Sequence, residues 1–270
     1  MTINEVHNAN DLMSAEGLNN AKQMTNDPIM TKGQNNTRNT KNLCIIPARG
    51  GSKRIPLKNI KKFLGKPIIA YSIEAAIKSG LFDEVMVSTD DERIAYLSIK
   101  NGAQVPFLRS SENANDYATL ADVLLEVIKK YAVNGKNVEN ICCILPTAPF
   151  VTEKWITEAF DKLVLENYDS VCPIVEFSYP ILRALELTPD NNLQMIWPKY
   201  LRTRSQDLKS TYHDSGSFYW VKAKALINEK TLYCKNGGAM ILPETEVQDI
   251  DTEKDWKLAE LKYKFVNQKV

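Results

Sequence analysis

Cys44–Asn59 reads CIIPARGGSKRIPLKN. The apolar run Leu43–Ile46 has the composition of a buried strand, and Pro47 ends it. The loop that follows sets Gly50, Gly51 and Ser52 among Arg49, Lys53, Arg54 and Lys58. Glycines let a backbone come close to a ligand and aim N–H groups at it, while Lys and Arg add charge and donors. Between Cys44 and Ile73 there are seven Lys or Arg and no Asp or Glu, in a chain whose 34 basic and 33 acidic residues nearly cancel. A strand running into a glycine-rich cationic loop suits a nucleoside triphosphate. On charge alone it is equally an exposed basic turn. The loop contains neither GxxxxGK[ST] nor GxGxxG, which excludes the Walker and dinucleotide-binding loops.

Outward from this loop, 270 residues with 44% apolar content suit one sizeable globular domain. The charge balance argues against a general nucleic-acid or membrane-surface binder, and no apolar run is long enough to span a bilayer. Cys44, Cys142, Cys143, Cys172 and Cys234 show no CxxC spacing and sit mostly in apolar runs, as reduced core thiols of a cytoplasmic protein do. Residues 1–41 are rich in Asn, Thr, Ser and Gln without a sustained apolar period. They read as a flexible N-terminal extension, leaving 42–270 as the folded domain.

Within that domain, strands alternate with helices. Pro67 and Gly80 bracket a helix, Glu84–Thr89 is a strand, and Asp90-Asp91 stand where a cap belongs before a helix ending at Gly102. A short strand, Val105–Leu108, and a polar loop, Ser110–Tyr117, precede a helix over Thr119–Tyr131. Strand Ile141–Leu145, a helix capped by Thr152, and strand Ser170–Glu176 follow. The alternation predicts an α/β, doubly wound, mostly parallel sheet with helices on both faces, and ligands in such sheets lie beyond the carboxyl ends of the strands. From 177 to 214 it breaks down into an inserted excursion of short strands and loops. Strands at Ser217–Lys222, Ala239–Leu242 and Val247–Ile250 precede a last helix, Thr252–Phe265, capped by Thr252 with Asp255 three residues on.

Asp249 and Asp251 stand two apart at the end of a strand, which puts both carboxylates on one face. Such a pair can hold Mg²⁺ against a triphosphate, or can simply close a strand and start the last helix. His213 is the one histidine outside the N-terminal extension, and a lone His is most often structural. Asp90 and Asp91 read as caps rather than ligands.

PARGGSKxIPxKN, carried here on Pro47–Asn59, resembles the signature loop of the cytidylyltransferases that activate nine-carbon sialic-type sugar acids with CTP. The resemblance runs from about Asn42 to the C-terminus. Asp249 and Asp251 look like the family's metal-binding DxD, and Arg204-Ser205-Gln206-Asp207 resembles its RxQD element. The string Tyr212–Trp220, YHDSGSFYW, resembles the pseudaminate branch, as do Ser178–Ile181 with Arg183 and the Arg54 that follows Lys53. Two positions depart from the family pattern. Ser110 replaces a Pro after Arg109, and Leu145 replaces a Gln before Pro146-Thr147, which puts a base contact from that side chain in doubt.

The resemblance implies a Rossmann-like nucleotidyltransferase with a small inserted dimerisation subdomain, acting as a cytoplasmic homodimer on CTP and a nine-carbon sugar acid. Pseudaminic acid is the expected substrate, with N-acetylneuraminic, legionaminic or another sugar acid as the alternative. A nucleotide-binding protein without chemistry is the alternative of another class. Arg49 and Lys53 would be catalytic, holding the phosphates together with the backbone N–H groups of Gly50, Gly51 and Ser52. Lys58, Asn59, Arg109, Thr119 and Pro146 would bind the nucleotide. Arg183, Arg204, Gln206, His213 and Asp214 would line the sugar side, and Asp249 and Asp251 would hold Mg²⁺.

Overall fold

The computed structural model describes residues 40–267. The expectation for the extension therefore lies outside the described residues, apart from Thr40 and Lys41, which already belong to the first strand. The strands are β1 (Thr40–Pro47), β2 (Lys62–Phe63), β3 (Lys66–Pro67), β4 (Glu84–Ser88), β5 (Val138–Ile144), β6 (Ser170–Glu176), β7 (Leu185–Leu187), β8 (Leu193–Met195), β9 (Tyr212–Asp214), β10 (Phe218–Lys222) and β11 (Gly237–Ile241). The α-helices are α1 (Ile68–Ser79), α2 (Glu92–Lys100), α3 (Leu120–Val133), α4 (Glu153–Leu165), α5 (Ala223–Glu229) and α6 (Glu253–Asn267).

Seven strands form the main sheet, in the order β11-β6-β10-β5-β1-β4, with β9 paired to β6. The pairs β1–β4, β1–β5 and β11–β6 are parallel, whereas β10 runs antiparallel between β5 and β6. The period of two along each strand divides the core. Cys44, Ile46, Cys142, Ile144, Phe218 and Trp220 pack on one face against Ile69 and Ile73 of α1 and Ile156, Ala159 and Leu163 of α4. Leu43, Ile45, Ile141, Cys143, Tyr219 and Val221 pack on the other face against Leu124, Val127 and Tyr131 of α3 and Leu226 of α5. This is the doubly wound, mostly parallel arrangement that the alternation implies.

Several elements differ from the reading of the sequence. Val105–Leu108 forms no strand: Gln104 alone bridges to Met86, and Pro106 supplies no donor to extend the ladder. Val247–Ile250 is irregular, so Asp249 within it and Asp251 just after it are not set by strand alternation. Helix α5 is unannounced by the sequence pattern and lies directly after β10. Within the excursion, β7 and β8 form a small separate hairpin, whereas Tyr212–Asp214 rejoin the main sheet through β6.

Capping follows side-chain chemistry. Asp91 caps α2 by accepting from the N–H groups of Arg93 and Ile94, and Thr152 caps α4 through Trp155 N–H. Thr252 and Asp255 form the reciprocal contacts expected at the start of α6.

Candidate active site

The cationic loop leaves β1 at the carboxyl edge of the sheet, where Ala48 N–H still bonds Ser88 O at the end of β4. Leu145 leaves β5 at the same edge, held by Ser217 O on its N–H and by the Ser72 hydroxyl on its carbonyl. Between them opens a cleft of about 410 Å³ lined by Arg49, Lys53, Lys58, Pro146, Thr147 and Asp251, among others. It lies where ligands of parallel sheets bind.

A third apolar cluster closes the far side. Ile55 from the loop, Phe63, Ile68 and Tyr71 pack with Ile250, Trp256 and Ala259 from the C-terminal segment. Phe63 meets Tyr71 and Trp256 edge-on at ring centroid distances of 5.5 and 5.7 Å. That packing brings Asp251 onto the loop: Arg54 reaches its Oδ1 at 2.7 Å, and Lys58 lies at 3.5 Å from the same oxygen while donating to Ile250 O at 2.7 Å. Residues 197 apart in the chain thus share one cleft.

The loop is braced from within. Asn59 is buried, and its amide donates to Arg49 O at 2.9 Å. Leu57, a non-glycine residue at φ +52°, turns the chain so that Lys58 and Asn59 face back. A Cβ on Gly50 would lie 2.8 Å from Asp91 Oδ2, so only glycine fits against α2 there. The backbone donors are less available than the sequence implies. Gly50 N–H is taken by Asp90 Oδ1 at 2.9 Å and Ser52 N–H by Gly50 O, which leaves Gly51 N–H, among the described residues, as the one of the three without a partner.

Arg109 is buried, and its guanidinium bonds the Ser88 hydroxyl at 3.0 Å and Ser88 O. Burial lowers its pKa, opposed by Asp90 and Glu126. It supports the floor of the edge rather than lining the cleft. The Thr119 hydroxyl is committed to capping α3 through Asp122 instead of pointing to a base. Pro146 lines the cleft beside Leu145.

None of the five residues expected on the sugar side lines this cleft. Arg183 is 3.4 Å from the Ser205 hydroxyl, Arg204 pairs with Asp207 at 2.7 Å, and Gln206 is exposed. His213 lies against Phe177, with Nδ1 at 2.8 Å from Asp214 O. The Asp214 carboxylate is engaged within the chain, accepting from the Tyr219 and Tyr233 hydroxyls at 2.5 Å each and from Gly216 N–H at 2.9 Å. It holds β9 to β10. Next to it, Gly216 stands at φ +61°, and a Cβ there would lie 3.4 Å from the Asp249 side chain. Burial raises the Asp249 pKa, and the neighbouring charge of Asp251 raises it further.

Asp116 is the residue that sequence reasoning missed. It follows an Asn115 turn in a stretch that reads only as polar loop, and no spacing marks it. Its Oδ1 accepts from Arg49 at 2.7 Å and its Oδ2 from Lys53. Those contacts hold its pKa below the usual carboxylate range, the Lys53 bond contributing most.

A cytidylyltransferase family model matches residues 43–251, and the chain belongs to that family. The pseudaminic acid cytidylyltransferase of Campylobacter jejuni is 42% identical over 224 residues, covering 83% of this chain and 97% of that protein. The CMP-N,N'-diacetyllegionaminic acid synthase of Legionella pneumophila is 33% identical, covering 81% of this chain and 94% of its own length. Among solved structures, a CMP:2-keto-3-deoxy-manno-octonic acid synthetase complexed with CTP aligns with a TM-score of 0.62 at 17% identity, over 85% of this chain and all of that one, so the two share a fold.

Proposed function

We propose that this protein activates pseudaminic acid with CTP, giving CMP-pseudaminic acid and pyrophosphate. The observation that carries the reading is the meeting of Arg49, Lys53, Arg54 and Lys58 with Asp251 in one cleft at the carboxyl edge of the sheet. The 42% identical relative named for pseudaminic acid supports the choice of sugar. The anomeric hydroxyl attacks the α-phosphorus, the bond to the pyrophosphate oxygen breaks, and the hydroxyl proton leaves to solvent. No covalent intermediate on the protein is needed. Catalysis then rests on positioning and on cations facing the charge that develops on the leaving pyrophosphate. Arg49 and Lys53 face that group. Lys58 ties the loop to the segment carrying Asp251.

Asp249 and Asp251 fit Mg²⁺. Their mutual repulsion is what a divalent cation relieves. Mg²⁺ held by two carboxylates would take the rest of its shell from phosphate and water. When bound, Mg²⁺ supplies charge neutralisation at the phosphates. The Arg54 contact on Asp251 would have to yield to it.

We read the β7–β8 hairpin as part of a small subdomain for homodimerisation, because Leu185, Leu187 and Leu193 stand more than half exposed on it. All five cysteines are buried and unpaired, which supports a reducing, cytoplasmic setting. No helix among the described residues is long and apolar enough to cross a membrane.

Mass spectrometry of the products from CTP with a panel of nine-carbon and eight-carbon sugar acids tests the reading. CMP-pseudaminic acid as the dominant product is expected. A different dominant product would reassign the sugar, and CTP binding without any product would make the protein a nucleotide binder.

A further inference from the structure

The phosphate cleft holds an anion of its own. Asp116 places one carboxylate oxygen on Arg49 and the other on Lys53, and Asn115 O takes a second bond from the same Arg49 nitrogen at 2.9 Å. This is not a chance contact of a loose loop. At its base, Glu126 accepts from Ser110 N–H and hydroxyl and from the Asn113 amide at 3.0, 3.0 and 2.6 Å. At its far end, Asn115 Oδ1 accepts from the N–H groups of Tyr117 and Ala118, and Thr119 begins α3. The side-chain bonds at both anchors involve neither Arg49 nor Lys53, so the loop delivers a carboxylate to them by its own folding.

We infer that Asp116 is a specificity-determining counter-ion of the phosphate cleft, one that a ligand must displace from both cations at once. This inference rests on the triphosphate reading of the site. A single phosphate or sulfate offers few oxygens against a carboxylate tethered at high effective concentration. A triphosphate presents several oxygens to both cations together with the rest of the nucleotide. The same tether competes with pyrophosphate once its bond to CMP has broken, which favours release of that product. Asp116 therefore sets a threshold that excludes simple anions and lets pyrophosphate leave.

Calorimetric titration of the full chain with inorganic pyrophosphate, inorganic phosphate and CTP, without sugar, tests this for the intact protein, Asp116→Asn and Asp116→Ala. Both variants should bind pyrophosphate roughly tenfold more tightly, since one lost competing charge contact is of that order. They should also gain a measurable phosphate affinity, and pyrophosphate should inhibit turnover at correspondingly lower concentration. A merely structural role would shift melting temperature without tightening anion binding. Unchanged or weaker pyrophosphate binding in both variants, with CTP still bound by the intact protein, overturns the counter-ion role alone. If the intact protein binds neither CTP nor pyrophosphate, the triphosphate reading fails and this inference with it.

Discussion

At the scale of single residues, charge and exposure separate the roles. The Lys53 side chain is 77% exposed and pairs with the exposed Asp116, so its removal should leave the fold intact. Lys53→Ala should lower turnover by on the order of 10²–10³, the usual cost of one preorganised donor at a developing charge. Steady-state pyrophosphate release together with an unchanged melting curve would check it, and near-normal turnover would remove Lys53 from the phosphate site. Asp251→Asn keeps the shape of the side chain and halves the acidic pair, so the Mg²⁺ concentration for half-maximal rate should rise. An unchanged Mg²⁺ dependence would argue against metal binding there.

At the scale of elements, α3 controls the loop that carries Asp116. Glu126 is partly buried, which by itself raises its pKa. Hydrogen bonds from Lys130, Asn113 and Ser110 outweigh that and pull it from 4.5 to about 2. A carboxylate whose folded pKa lies below its unfolded one contributes stability above the unfolded value and loses it as pH falls through the folded one. The window here is about pH 4.5 down to 2, and the contribution is at most about 3 kcal/mol before solvent screening of this partly exposed group reduces it. Glu126→Gln should flatten the acid limb of the stability–pH curve in that window, measured by chemical denaturation. A variant whose acid limb stays as steep as that of the intact protein would show that this carboxylate is not the titrating group. The loop 110–113 was legible only as polar sequence, because what orders it is a carboxylate on the following helix.

At the scale of the whole molecule, the site is assembled by apolar packing remote from the chemistry. Ile250 is fully buried between Ile55, Phe63 and Trp256 and immediately precedes Asp251. Ile250→Ala should cost about 2–5 kcal/mol by leaving a cavity. Below its melting transition the variant should also need more Mg²⁺ than the intact protein, because Asp251 loses its seat. Denaturation and metal titration on the same sample would separate the two effects. If the proposed homodimer uses the β7–β8 hairpin, Leu187→Asp with Leu193→Asp should give a monomer in sedimentation without unfolding the main sheet. Persistence of the dimer would place the interface elsewhere.

Much of this was legible in the chain. Period-two runs and caps such as Thr152 and Asp91 are local signals, and they gave the sheet and its helices because side-chain alternation and the need to satisfy helix-end N–H groups act within a few residues. The glycine-rich basic loop was legible for the same reason: its glycines and cations are contiguous. Tertiary structure alone decided the rest. It placed the antiparallel β10 between β5 and β6 and denied Gln104 and its successors a ladder. It turned Gly50 N–H and the Asp214 carboxylate inward, brought Asp116 to Lys53, and set Asp251 beside Arg54. Contacts between residues far apart in sequence are chosen by which apolar surfaces can be buried together, and no short-range pattern in the chain encodes that choice.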